Sequence, residues 1–132
     1  VNCEILNLPK ISDPRGNLTF LQEFDQVPFE IKRVFWTYDV PGGEKRGGHA
    51  YFQQQELIIA LSGSFDVVIT DSKGNYTTYS LNRSNYGLFI PAKNWRHMEN
   101  FSTNAFGLHL SSCIYNEDDY IRSFQYFSQI EK

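Results

Sequence analysis

Arg46, His49, Tyr51 and Glu56 bring a guanidinium, an imidazole, a phenol and a carboxylate into one short stretch of the chain. Residues two apart in a strand point to the same face, roughly 6.5–7 Å apart along the chain. If 49–51 is extended, His49 and Tyr51 share a face, with Arg46 near its entrance. An unperturbed histidine titrates near ~6.5 and a tyrosine near ~10, so at neutral pH the first accepts a proton and the second donates one. Such a cluster suits proton transfer on an anionic substrate. On residue type alone it equally suits an ordinary barrel wall.

Glu56 begins an apolar run, Leu57-Ile-Ile-Ala-Leu61. A carboxylate there needs a cation, a metal or a proton of its own. His49, Glu56 and His97 have the residue types of a His/His/Glu metal set, but no second histidine stands beside the first. Basic residues recur where strands meet turns: Arg15, Lys32, Arg33, Arg46, Lys93 and Arg96. Two or three of them beside Tyr38, Phe52 or Trp95 would make a site for a planar ring and phosphates. Arginine suits that role because its planar fork binds phosphate oxygens in pairs and its face stacks on rings. The chain has no glycine-rich phosphate loop, nucleophile elbow or Cys-His pair.

The elements that must position these groups read as strands. Glu4–Ile11 alternates loosely up to the turn Ser12-Asp-Pro-Arg-Gly16. Leu18–Phe24 resumes, and Ile31–Asp39 is a branched and aromatic run. Glu56–Leu61 is followed after Ser62-Gly63 by Ser64–Thr70, which reads as its hairpin partner. Tyr76–Leu81, Tyr86–Ile90, Met98–Phe101 and Ala105–Ser112 complete the set. Strands of this length between regular turns predict an antiparallel sandwich or barrel. From Asn116 the pattern changes: a cap residue and three acids precede Tyr120, Phe124 and Phe127 at helical spacing. That stripe predicts a short C-terminal helix packed on the sheet.

The length of 132 residues fits one domain over 1–132, and the aromatic content of 16% suits strands and a flat-walled cavity. A net charge of −3 with no basic tract argues against nucleic acid or an anionic membrane as partner. Two distant cysteines, Cys3 and Cys113, make neither a disulfide framework nor a zinc spacing. They read as inert, buried thiols in a reducing compartment, and the start has no signal pattern. The expectation is a cytoplasmic protein.

Seven segments in order carry a family likeness: Asp13-Pro-Arg-Gly-Asn-Leu18, Val27-Pro-Phe-Glu-Ile-Lys-Arg-Val34, Arg46-Gly-Gly-His-Ala50, Leu61-Ser-Gly-Ser-Phe-Asp-Val-Val68, Tyr86-Gly-Leu-Phe-Ile-Pro91, Asn100-Phe-Ser102 and Asp118-Asp-Tyr-Ile-Arg122. Together they resemble the WxcM-like sugar-nucleotide 3,4-ketoisomerases of the cupin superfamily. The resemblance implies an all-β, antiparallel jelly-roll barrel that forms a homodimer, often with exchanged N-terminal strands. It implies a cofactor-free, metal-independent shift of the keto group of a dTDP-4-keto-6-deoxyhexose from C4 to C3, in deoxyaminosugar biosynthesis. His49 falls on the family's first histidine and is the expected base, with Tyr51 beside it as a second catalytic group. Arg15, Arg33, Arg46, Trp95 and Arg96 are the expected substrate-binding residues. Two departures stand out. The family's His-Ala-His reads His49-Ala50-Tyr51 here, and the histidine that commonly follows the tryptophan is Arg96. A related cupin isomerase or epimerase on another nucleotide sugar, or a non-catalytic nucleotide-sugar-binding cupin, are the alternative readings.

Overall fold

The computed structural model describes residues 2–130. In chain order the strands are β1 (Glu4–Asn7), β2 (Lys10–Asp13), β3 (Gly16–Thr19), β4 (Arg33–Tyr38), β5 (Arg46–Tyr51) and β6 (Glu56–Ser62). They continue with β7 (Phe65–Thr70), β8 (Tyr76–Leu81), β9 (Tyr86–Ile90), β10 (Trp95–Glu99), β11 (Phe106–Ser111) and β12 (Tyr120–Ile121). Helix α1 (Phe124–Ile130) closes the described chain. Two five-stranded sheets, ordered β1-β9-β6-β11-β4 and β12-β5-β10-β7-β8, enclose the barrel, and every paired strand is antiparallel. This is the antiparallel barrel the strand pattern predicts and the jelly roll the family resemblance implies.

Residue alternation decides what the interior holds. On β6, Ile58 and Ala60 point into the barrel with Phe65, Val67, Leu88 and Met98. The intervening Leu57 and Ile59 pack on the other face against Leu8, Val27 and Phe29. A strand covered on both sides reads as a continuous apolar run, and here the 21–31 segment is the outer cover. On β5 the alternation runs His49 and Tyr51 inward, Ala50 outward, where Ala50 meets Ile121 and Phe127. Helix α1 thus holds the site strand from behind, and Phe127 is 1% exposed.

Several boundaries differ from expectation for identifiable reasons. The stretch 4–11 is divided at Leu8-Pro9, where proline cannot donate to a ladder and the Leu8 amide bonds the Asn85 carbonyl at 2.9 Å. Strand β3 ends at Thr19, short of Phe24, and pairs only with β2 in a separate two-stranded sheet. β6 and β7 are not a hairpin. They lie in different sheets, and Ser62-Gly63-Ser64 carries the chain across the barrel. Gly63 has φ +65°, and a Cβ there would stand 2.5 Å from Ser102 Oγ and 2.9 Å from Ala105 Cα. Only glycine makes that crossing. Asn116 caps a 3₁₀ turn (Glu117–Asp119), its Oδ1 accepting from the Asp118 amide at 3.1 Å. The next residues pair as β12 with Tyr51 and Ala50, so the α-helix begins later, with Ser123 Oγ accepting from the Tyr126 amide.

Candidate active site

Inside the barrel a cavity of about 300 Å³ is walled by His49, Tyr51 and Tyr120, with Arg46 and Arg122 also on its lining. The approach of Arg46 to His49 depends on an irregularity. Three residues apart, they would face opposite ways on a regular strand. Opposite β10, Arg96 pairs with His49 but Met98 pairs with Arg46, so β5 carries one extra residue. Gly47, at φ +76°, supplies the bulge. The bulge returns Arg46 to the face of His49.

His49 Nε2 lies 3.1 Å from Tyr51 Oη. The two rings meet edge to face at 4.8 Å, and Tyr120 packs against both, at 5.2 Å from His49 and 4.7 Å from Tyr51. Burial, helped by the positive charge of Arg96, pushes His49 down to about 4. The imidazole is therefore neutral at pH 7 and able to accept a proton. Burial and the Glu56 carboxylate push the Tyr51 phenol above its ordinary value, so it remains a donor. The pair holds one acceptor and one donor in contact.

Beneath them, Glu56 finds two cations or donors. Arg96 Nη1 donates to Oε1, and His109 Nδ1 donates to Oε2 at 2.6 Å. Burial raises this carboxyl, but the His109 bond and the Arg96 charge outweigh it and hold Glu56 at about 2. At the cavity rim Arg122 forms a two-point bond with Glu117, at 2.6 and 2.9 Å, and its guanidinium lies 4.2 Å from the Tyr120 ring.

The other expected residues are dispersed. Arg96 faces the cavity but is 2% exposed and already engaged by Glu56. Trp95, on the opposite face of β10, packs on Phe124 and Phe127 at 5.4 and 5.8 Å, away from the cavity. Strand alternation dictates that outcome, because adjacent residues cannot share a face. Arg33 bonds Gln54 Oε1 at 3.1 Å and stacks on Phe35, outside the cavity lining. Arg15, 90% exposed at its side chain, pairs with Asp13 at the tip of the β2–β3 hairpin. His97 turns outward with Trp95 and bonds Glu99 at 2.7 Å, so His49, Glu56 and His97 do not assemble as a metal set. Cys3 and Cys113 are half-buried and unpaired, and burial pushes the Cys3 thiol up to about 11.

Residues the sequence reading missed are His109, Tyr120 and Arg122. His109 reaches Glu56 because β11 pairs with β6, a partnership across 53 positions that no local pattern reveals. The helical spacing places Tyr120 in the stripe with Phe124 and Phe127, but the structure does not. Tyr120 lies one strand earlier, facing the cavity, whereas Phe124 and Phe127 do pack the helix.

Residues 1–132 match the family model described as FdtA: WxcM-like, C-terminal. The chain belongs to the WxcM-like family. Among curated proteins it is 35% identical to TDP-4-oxo-6-deoxy-alpha-D-glucose-3,4-oxoisomerase of Aneurinibacillus thermoaerophilus, over 96% of this chain and 90% of that one. Among solved structures, the WlaRB TDP-quinovose 3,4-ketoisomerase of Campylobacter jejuni superposes with a TM-score of 0.91 at 43% identity, covering 97% of this chain and 98% of the other. A 3,4-ketoisomerase of Helicobacter canadensis superposes at 0.92 with 39% identity, covering 97% and 96%. Each of these relatives aligns with 96–97% of this chain.

Proposed function

We propose that this chain moves the keto group of a TDP-4-keto-6-deoxyhexose between C4 and C3, with His49 as base and Tyr51 as its proton-donating partner. The observation that carries the reading is the 3.1 Å contact between a neutral imidazole and a protonated phenol on the cavity wall. His49 removes the C3 proton, and the electron pair forms the C3–C4 double bond of an enediol. The C4 oxygen gains a proton as the C3 hydroxyl loses its own, and the imidazolium returns a proton to C4. Tyr51 serves the oxygen that carries the developing charge. Arg46 and Arg122, on the same cavity, suit the pyrophosphate, whose binding energy orients the sugar. The anionic substrate also favours the imidazolium, which raises the basicity of His49 when it is needed.

A second copy of the chain completes this reading as a homodimer. Val34, Trp36 and Tyr38 are about half exposed along the outer face of β4, and Ile11 and Leu18 on the β2–β3 hairpin are 57% and 56% exposed. An apolar face and an unpaired hairpin favour exchange of the N-terminal strands, which would carry Arg15 toward the partner's cavity. The compartment consistent with two free cysteines is the cytoplasm. No helix among the described residues is long and apolar enough to cross a membrane.

The test is incubation with TDP-4-keto-6-deoxyglucose in D₂O, following the isomer and deuterium at C3 and C4 by NMR. The 3-keto product with deuterium at C4, and deuterium at C3 of the recovered 4-keto substrate, is the expected result. Binding without exchange would favour a non-catalytic nucleotide-sugar protein, and neither binding nor exchange would remove the reading.

A further inference from the structure

The proposed proton transfers use the cavity wall, while the floor is a continuous line of polar groups, half-buried at Thr37 and buried at His109, Glu56 and Arg96, that joins the two sheets. Thr37 Oγ1 on β4 is 3.0 Å from His109 Nε2 on β11. His109 Nδ1 donates to Glu56 on β6, and Glu56 accepts from Arg96 Nη1 on β10. Phe35 lies flat on the His109 ring at 4.4 Å, 8° from parallel, which fixes the imidazole plane. Arg96 Nε donates to the Asn94 carbonyl at 3.0 Å, and the guanidinium carbon sits 4.9 Å from the Tyr51 ring centre.

An ion pair removed from water is seldom the most stable filling for a core; apolar residues of the same volume often do as well or better. Glu56 and Arg96 are 3% and 2% exposed, so stability is a poor explanation for them. One atom points to a different explanation. Arg96 Nη2 is buried without a hydrogen-bond partner, although Arg96 lines the cavity and its other two nitrogens are engaged. An unpaired buried donor beside a cavity is a group awaiting an acceptor.

We propose that Glu56, held by His109 and Thr37, is a positioning residue: it clamps the Arg96 guanidinium so that Nη2 is presented at the cavity floor beneath Tyr51, to the substrate oxygen on which enediolate charge builds. The carboxylate also neutralises the guanidinium, leaving a directed donor in place of a diffuse positive charge. Without Glu56, the long Arg96 side chain would keep only the Asn94 carbonyl, and its charge would draw it toward water or the substrate phosphates. The inference rests on the isomerase reading wherever turnover is its readout.

The experiment compares wild type, E56Q, R96Q and the E56Q/R96Q double variant. E56Q is expected to lower kcat by about 10- to 100-fold, the range of one charge-assisted hydrogen bond, with KM within about threefold of wild type. In the R96Q background the same substitution should cost less than about twofold, because a residue acting through Arg96 has nothing left to position. The double variant should melt at or above E56Q, since it no longer buries an uncompensated guanidinium. Independent, multiplying effects of the two substitutions would overturn the proposal, as would E56Q with full kcat. A readout free of activity is the Arg96 Nε–H in ¹⁵N spectra, which is expected to exchange slowly in wild type and at least about tenfold faster in E56Q. Equal exchange in both would also overturn it. If wild type fails to isomerise a TDP-4-keto-6-deoxyhexose, the functional reading falls, and the Nε–H exchange alone decides the positioning.

Discussion

Replacing Tyr51 by Phe separates two roles of the phenol. The ring is 1% exposed, wedged between His49 and Tyr120 above the Arg96 guanidinium. Phe keeps every ring contact and removes one oxygen. If that oxygen only orients His49 through its 3.1 Å bond, the loss is one neutral hydrogen bond, about 0.5–1.5 kcal/mol, or roughly 2- to 13-fold in rate. If the phenol also supplies the proton to the substrate oxygen, the loss enters the range of general acid catalysis, about 10²–10⁴-fold. The proposed role predicts a fall of about 100-fold in kcat with thermal stability lowered by no more than about 1 kcal/mol. Initial rates of deuterium entry at C3 and C4 in D₂O, with a melting curve on the same sample, measure both quantities. A Tyr51→Phe enzyme within about threefold of wild type would refute the donor role.

His49→Asn is expected to abolish exchange at C3 and C4 while TDP binding, measured by calorimetry, stays within about threefold; retained exchange would remove the base. Because His49 is held near 4 in the free protein, the acid limb of kcat/KM should lie near that pH. The limb of kcat should lie higher, since bound pyrophosphate favours the charged ring. The same depression makes stability fall as pH drops from about 6.5 toward 4, where unfolded His49 binds a proton that the folded chain refuses; denaturant midpoints across that window check the sign. Glu56 acts lower: its stabilisation is complete above about 4.5 and is lost as pH falls through about 2. Phe127→Ala, which empties the contact between α1 and the back of β5, should cost about 3–5 kcal/mol by denaturant unfolding. Sedimentation should report a dimer, and a monomer for a chain lacking the β2–β3 hairpin.

The chain's own order of residues determined a good deal. Alternation and turn spacing specify strands, and the His49–Tyr51 spacing alone puts imidazole and phenol on one face, because a strand repeats every two residues. Seven ordered segments identified the family, and the match over residues 1–132 bears that out. Glu56 could be seen to need a partner, since an unpaired carboxylate in an apolar strand is untenable.

Which partner it finds was decided only by the tertiary structure. Arg96 and His109 arrive from strands 40 and 53 positions away, and sheet order, not local pattern, makes them neighbours. The same holds for the crossing at Gly63, which turns an apparent hairpin into a passage between sheets. It holds too for the bulge at Gly47, which reverses the face of Arg46. Trp95 and Arg96 show the limit most directly. Adjacent in sequence, and both expected to bind substrate, they are sent to opposite sides of β10, one to brace a helix and one to the cavity floor. A one-dimensional pattern records which residues alternate; only the closed barrel says which side of the alternation is the inside.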